Sequence, residues 1–193
     1  MKTIKAYVLL FVFSSLISFT VFAQKKNIVY QVGYFAPYLS NIGGTVGCAL
    51  DLKEFGGNSK DHKSTHRLQL LTHLGYYMQM NVSHNILLNP ELVYRWNKSD
   101  KRFFLTSSVG AGYLLSSQRQ DGTLNLGTGE TDYRYDAFNY FLPNLNIGLG
   151  VDPKKRFGFY LKATYGRKLS TQHANAAFLG VSTGLILKFN SKD

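Results

Sequence analysis

The chain has little of what would stabilise a disulfide scaffold or a helical membrane protein. Cys48 is the only cysteine among 193 residues, so no internal disulfide can form. Beyond residue 23 the chain has no apolar run long enough for a membrane-spanning helix. Acidic residues are also scarce, with 11 against 22 lysines and arginines. The fold must therefore be held together without disulfides and without spanning helices.

The first residues have the layout of a secretory signal peptide. A basic pair, Lys2 and Lys5, precedes an apolar run, and small residues stand at the −3 and −1 positions of a cleavage site after Ala23. No cysteine follows that site, which argues against a lipoprotein anchor. We expect a signal peptide over 1–23 and one mature domain over 24–193; an uncleaved N-terminal anchor is the alternative.

What the chain does have in quantity is aromatic residues and glycine, with 14 Phe, 13 Tyr and 18 Gly. Aromatic residues favour strands and membrane interfaces, and glycines in strands mark bends and close packing. Segments of about ten alternating residues separated by turns are typical of a transmembrane barrel. Eight such segments occur, at 27–38, 42–54, 67–80, 85–97, 103–116, 138–151, 157–168 and 178–190.

The alternation is clearest in the seventh segment. Phe157, Phe159 and Leu161 fall on one face, and Gly158 and Lys162 fall on the other. Successive side chains of a strand point to opposite faces of its sheet. A soluble, lipocalin-like barrel that binds a ligand inside would be apolar inside and polar outside. The outward apolar series of this strand, opposed to glycine, lysine and threonine, argues against such a barrel. The sequence predicts an all-β fold: an eight-stranded, antiparallel, up-and-down transmembrane β-barrel.

Turn lengths predict the orientation of this barrel. The turns at 97–102 and 152–156 are short and polar, whereas 117–137 forms a long loop. Outer-membrane barrels have short periplasmic turns and longer extracellular loops. We therefore expect both termini in the periplasm. The segment 55–66 is long for a periplasmic turn and has no explanation in the sequence.

The last strand resembles the C-terminal β-signal of Gram-negative outer-membrane proteins. Ser182, Gly184, Leu187 and Phe189 occupy the polar, glycine, apolar and aromatic positions of that signal. The mature chain also resembles the small porin-like or outer membrane protein β-barrel domain families, especially versions common in Bacteroidetes-type bacteria. This resemblance implies a place in the cell outer membrane, contact with its lipids, insertion by the barrel-assembly machinery, and a possible envelope protein partner.

Charged and ionisable side chains fall on the inner face. Alternation places Asp51, His73, Glu91, Arg95 and Lys162 there. An isolated charge in a narrow interior of low dielectric is costly, so each is expected to find a partner. Eight strands leave an interior only wide enough for side chains to fill. The sequence therefore predicts a network in the lumen that plugs the barrel.

No motif in the chain indicates a cofactor or a metal. His62 and His66 are four apart but lie in a polar segment, so neither is assigned as a ligand. The pairs Ser83–His84 and Ser170–His173 could belong to a lipid-modifying hydrolase or acyltransferase. Adjacent strand residues point to opposite faces, which counts against Ser83–His84. The basic composition does not indicate nucleic-acid binding in an exported barrel.

These observations favour a non-enzymatic outer-membrane protein with a structural, adhesive or envelope-complex accessory role. A narrow channel and a lipid-modifying outer-membrane enzyme are the alternatives. No cofactor is expected.

Overall fold

The computed structural model describes residues 28–38, 40–56, 64–80, 82–98, 102–120, 122–124, 131–153, 156–170 and 175–188. The predicted signal peptide lies outside these residues, as does Phe189. The strands of the described part, named in chain order, are β1 (Ile28–Pro37), β2 (Ile42–Gly56), β3 (Ser64–Gln79), β4 (Ser83–Lys98), β5 (Phe103–Arg119), β6 (Thr123–Leu124), β7 (Thr131–Asp132), β8 (Tyr135–Val151), β9 (Phe157–Lys168) and β10 (Ala176–Lys188).

Eight of these strands form one closed antiparallel barrel. Their order around the ring is β1-β10-β9-β8-β5-β4-β3-β2, so chain neighbours are barrel neighbours and β1 pairs with β10. The short strands β6 and β7 pair with each other in the connection between β5 and β8. The predicted fold, an eight-stranded up-and-down β-barrel, is confirmed. In the part of the chain that is described, no helix has the length and apolar character needed to cross a membrane.

Five of the barrel strands, β2, β3, β4, β5 and β8, are longer than the alternation predicted. The predicted turn over 55–66 is wrong at both of its ends. Phe55 and His66 face each other in the ladder between β2 and β3. The ladder between β2 and β3 extends past the apolar residues, and polar side chains form contacts across it. Glu54 and Arg67, for example, form an ion pair at 3.1 Å. Such residues carry no apolar alternation, which is why the sequence did not reveal them as strand.

The two ends of the barrel differ mainly in one connection. We call the end that carries Ile28 and Lys188 the turn end, and the opposite end the loop end. At the loop end, β5 and β8 run up to residues 119 and 135, so the predicted loop over 117–137 is shorter than expected and contains the β6–β7 hairpin. Another loop-end connection, 80–82, is as short as any turn. The asymmetry that predicted the orientation therefore rests chiefly on one loop.

The register of the ladders fixes the tilt of the strands. From Val32, the pairings lead through β2, β3, β4 and β5 to Phe141 on β8. In the other direction they lead through β10 and β9 to Val151, ten residues further along the same strand. An offset of this size in an eight-stranded ring tilts the strands by about 40° and leaves an interior that side chains can fill.

The outer face of the barrel is apolar through its middle, as a surface in contact with lipid must be. Ile147, in the middle of β8, is 73% exposed. Aromatic side chains flank this band, with Phe103 and Phe157 towards the turn end and Tyr113 and Tyr165 towards the loop end. Aromatic girdles at both interfaces are typical of outer-membrane barrels. The distribution of polarity agrees with a barrel that spans a bilayer.

An arginine introduced into this band should destabilise the barrel according to its depth. Leu161→Arg in the middle of β9 should cost about 2–4 kcal/mol of unfolding free energy, because the guanidinium meets hydrocarbon. Phe157→Arg is the matched control, since it lies on the same face where the strand begins. Near the membrane interface, the arginine charge at position 157 should cost only about 0–1 kcal/mol of unfolding free energy. Urea unfolding in lipid vesicles measures both, and equal losses would contradict the lipid-facing assignment of Leu161.

Candidate functional site

The middle of the barrel interior is divided into three layers. Reading β4 from the loop end, the inward side chains are Leu87, Asn89, Glu91, Val93 and Arg95, all buried. An upper apolar layer surrounds Leu87 and a lower one surrounds Val93, with polar side chains between them. The upper layer consists of Phe35, Tyr77, Leu87, Leu114, Tyr140, Leu142 and Phe178. The lower layer consists of Ala49, Leu71, Val93, Phe104, Tyr160 and Ile186.

Glu91 is the centre of the polar layer. Its side chain is fully buried and its residue is 1% exposed. Three donors satisfy its carboxylate: Lys162 Nζ at 2.7 Å, Asn89 Nδ2 at 2.8 Å and Ser108 Oγ at 2.8 Å. Lys162 lies on β9, across the barrel from β4, so this ion pair joins opposite walls. A buried carboxylate requires this kind of compensation, because its loss of hydration otherwise costs several kcal/mol.

Side-chain amides extend this layer across the barrel. Asn144 donates through Nδ2 to Asn89 Oδ1 at 2.8 Å. Asn146 donates to Ser108 Oγ and to Asn144 Oδ1, both at 2.9 Å. Each donor that contacts Glu91 from β4 or β5 is thus held by an asparagine on β8. Asn144 and Asn146 alternate with Leu145 and Ile147 in the sequence, a pattern that predicts their inward position but not their support of Glu91.

Small residues make room for this layer. A Cβ atom added to Gly110 would lie 2.5 Å from Asn144 Oδ1, and one added to Gly47 would lie 2.7 Å from His73 Nδ1. Both distances are shorter than normal van der Waals contact. The inward glycines are therefore where the larger polar side chains of neighbouring strands fit.

His73 belongs to the same layer but does not contact Glu91 directly. It is buried, and its Nδ1 lies 3.3 Å from Thr45 Oγ1. His73 Nε2 and Ser182 Oγ have no hydrogen-bond partner within the described part of the protein. Both residues line a cavity of about 20 Å³, together with Glu91 and Lys162. A cavity of this size, lined by polar atoms, is large enough for about one water molecule.

Arg95 forms a second group, at the turn end. Its guanidinium makes an ion pair with Asp152 through Nη2, donates through Nε to Asn97 Oδ1 at 3.0 Å and lies 3.7 Å from the centre of the Phe104 ring. Asn97 in turn donates to Asp152 Oδ2 at 2.6 Å. The sequence assigned Asp152 to a turn and so missed the partner of Arg95. Arg95 and Glu91 share a face but belong to separate groups.

Asp51 is separate from both groups. It accepts a hydrogen bond from Gln69 Nε2 at 2.5 Å and lies where the register between β2 and β3 shifts, between Asp51 and Lys53. Of the five predicted lumen residues, the structure brings Glu91 and Lys162 into contact and places His73 beside them. Arg95 and Asp51 find other partners.

The residues that resemble a β-signal lie along the closing seam of the barrel. Gly184 pairs with Gly33 on β1, and a Cβ atom at Gly184 would collide with the β1 backbone. Ser182 faces the polar layer, and Leu187 pairs with Tyr30 and Phe157. The glycine of the signal is therefore required sterically for β10 to close against β1.

The interior contains no wide passage along the described residues. Besides the cavity at His73, a second of about 30 Å³ lies between Glu91 and Arg95, beside Phe104 and Tyr160. Each holds on the order of one or two water molecules. Upper-layer side chains such as Leu87 and Leu142 line the first cavity, and Val93, Phe104 and Tyr160 of the lower layer line the second.

The candidate catalytic and metal residues do not assemble where they are described. Ser83 is buried, whereas His84 is exposed and its Nδ1 lies 2.8 Å from Tyr76 Oη. His62 and His173 lie outside the described residues. His66 Nδ1 lies 2.5 Å from Tyr94 Oη. Among the described residues, no group of three or more His, Cys, Asp or Glu could hold a metal ion.

The closed barrel, its apolar outer band and the polar layer in its interior define a transmembrane β-barrel. A sequence profile of the outer membrane protein beta-barrel domain family matches residues 21–166. The match spans about three quarters of the chain, and the protein belongs to this family of the outer membrane. Comparison with curated protein sequences finds no significant match.

Two solved structures resemble the fold. The outer membrane enzyme PagL is 13% identical, with a TM-score of 0.47, and the likeness covers 84% of this chain and 99% of that chain. The N-terminal beta-barrel domain of Pseudomonas aeruginosa OprF is 16% identical, with a TM-score of 0.41, covering 84% of this chain and 98% of that chain. Neither likeness assigns a role to a residue of this protein.

Removing the carboxylate of Glu91 should destabilise the barrel strongly. Glu91→Ala leaves the Lys162 ammonium, whose side chain is only 13% exposed, without its counter-charge, which should cost about 3–5 kcal/mol of unfolding free energy. The matched control is Glu54→Ala, which breaks the exposed pair with Arg67 and should cost about 0–1 kcal/mol. Urea unfolding measures both losses.

A double substitution tests whether the two charges depend on each other. Glu91→Gln combined with Lys162→Met removes both charges, so it should be less destabilising than the sum of the single changes. Strictly additive losses would contradict the ion pair.

Proposed function

We propose that this protein is a non-enzymatic outer-membrane protein with a structural, adhesive or envelope-complex accessory role, whose barrel is a sealed membrane anchor. The observation that carries the proposal is the filled interior. A channel needs a continuous aqueous path, whereas the buried Glu91–Lys162 pair joins opposite walls between two apolar layers. The position of Ser83 and His84 on opposite faces supports the non-enzymatic role.

The connection between β5 and β8 is the part of the described chain best suited to contact a partner. It carries the β6–β7 hairpin at the loop end. Gln120 N donates to Arg134 O at 2.8 Å, and the Arg119 guanidinium lies 3.0 Å from the centre of the Tyr133 ring. These contacts order the base of the hairpin against the barrel rim. An envelope protein would bind at this hairpin. The other partners are outer-membrane lipids, which surround the barrel, and the barrel-assembly machinery, which would recognise β10 during insertion.

The orientation follows from the same feature. We infer that the turn end, with both termini, faces the periplasm and that the β6–β7 hairpin faces the exterior. Long connections are extracellular in outer-membrane barrels. Four described cations at the turn end would face the phospholipid headgroups of the inner leaflet: Lys53, Arg102, Arg156 and Lys188.

Conductance in planar bilayers tests the sealed anchor. The reconstituted protein should give no steady conductance steps under conditions in which a large-pore porin in the same lipid gives them. Large, stable steps would contradict the proposal and favour the narrow channel.

Cysteine labelling in intact cells tests the orientation. Arg134→Cys at the loop end and Arg156→Cys at the turn end both replace exposed arginines, and Cys48→Ser supplies a background without other cysteines. A membrane-impermeant maleimide should label the Arg134→Cys variant and spare the Arg156→Cys variant until the outer membrane is opened. The reverse pattern would contradict periplasmic termini.

A further inference from the structure

Methionine is used at one place in this barrel. Apart from Met1, the chain has only Met78 and Met80, although 45% of its residues are hydrophobic. Both lie at the loop end of β3 and are exposed, Met78 by 37% and Met80 by 69%. Methionine usually fills gaps in cores. The described core of this barrel contains no methionine, and the thioethers of Met78 and Met80 both lie on the outer surface.

An imidazole lies beside the two thioethers. Met78 pairs directly with His84 in the ladder between β3 and β4. The Cβ atoms of directly opposed residues are about 4.5–5.5 Å apart. Met78, Met80 and His84 also line one surface cavity of about 290 Å³, with Tyr135 at its side. Two thioether side chains and one imidazole therefore line the same cavity.

The His84 ring has a hydrogen-bonding partner at Nδ1 and aromatic rings beside it. Its Nδ1 lies 2.8 Å from Tyr76 Oη, and its ring stacks with that of Tyr76 at 6.3 Å between centroids. The ring of Tyr135 lies on another side, at 6.4 Å. When Nδ1–H donates to the tyrosine oxygen, the lone pair of Nε2 is free for a metal. A hydrogen bond of this kind on the second nitrogen is the usual outer-shell support of a metal-binding histidine.

We propose that Met78 Sδ, Met80 Sδ and His84 Nε2 form a site for a soft monovalent cation, Cu⁺. Thioether sulfur selects Cu⁺ over hard divalent cations, and imidazole suits copper as well. The described residues that line the cavity include no carboxylate, so the donor set is neutral and offers little to Ca²⁺ or Mg²⁺. The site lies on the outer surface at the loop end and does not depend on the sealed lumen.

The second outward histidine provides a matched comparison. His66 Nδ1 lies 2.5 Å from Tyr94 Oη, and the two rings are 5.8 Å apart, so the histidine–tyrosine pair is the same in kind. Methionine is missing from β3 around His66, which lies at the turn end of that strand. His66 also differs at its second ring nitrogen, since Nε2 lies 3.2 Å from Ser64 Oγ. His66 is therefore expected not to bind copper, although it lies beside a tyrosine.

Competition with a chromophoric Cu⁺ chelator tests the site on the refolded protein in detergent under reducing, oxygen-free conditions. The protein should withdraw one equivalent of Cu⁺, and Met78→Leu with Met80→Leu should abolish the withdrawal. Tyr76→Phe should weaken binding by about tenfold or more, because it removes support from His84 Nδ1. His66→Gln should leave binding unchanged. Retained binding in the double leucine variant, or equal loss in the His66→Gln variant, would overturn the proposal.

A second measurement needs no substitution. With ¹³C-labelled methionine methyl groups, Met78 and Met80 supply the only methionine signals besides that of a start methionine. Addition of Ag⁺, a redox-stable substitute for Cu⁺, should shift both signals until one equivalent has been added. Zn²⁺ should leave them in place. Unchanged methionine signals with Ag⁺, or equal shifts with Zn²⁺, would show that these thioethers do not form the site.

Discussion

A β-sheet in the hydrocarbon of a bilayer cannot leave an edge strand unpaired, because no water is present to satisfy its backbone groups. In this protein β1 pairs with β10, which closes the sheet into a barrel without an unpaired edge strand. The rest of the structure depends on this closure. Gly33 and Gly184 face each other at the seam, where a larger residue would collide with the neighbouring backbone. The ten-residue offset around the ring sets the strand tilt, and with it the width of the interior.

That width decides how the interior is filled. Side chains from opposite walls reach each other, so Lys162 on β9 can neutralise Glu91 on β4. The buried pair is tolerable because asparagine and serine side chains satisfy the remaining carboxylate positions. Such a pair adds little net stability compared with an apolar filling, but removal of either partner is costly. We therefore regard the pair as fixing one arrangement of the interior between the two apolar layers.

Alternation with a period of two was sufficient to predict the fold and the inner face, because lipid and lumen impose opposite polarities on successive residues. It placed Glu91 and Lys162 inside, but their contact depends on the offset at closure, which no local pattern encodes. Asp152 was assigned to a turn, so the partner of Arg95 was missed. The strand ends near Phe55 and His66 were also missed, since outside the apolar band pairing needs no alternation.

The most direct test of this account is the exchange of the Lys162 ammonium protons with water, observed by nitrogen-detected NMR in lipid nanodiscs. A sealed interior predicts slow exchange, since the ammonium donates to Glu91 between two apolar layers. Lys53, which is exposed at the turn end, supplies the reference for free exchange. Exchange at Lys162 as fast as at Lys53 would contradict a sealed lumen.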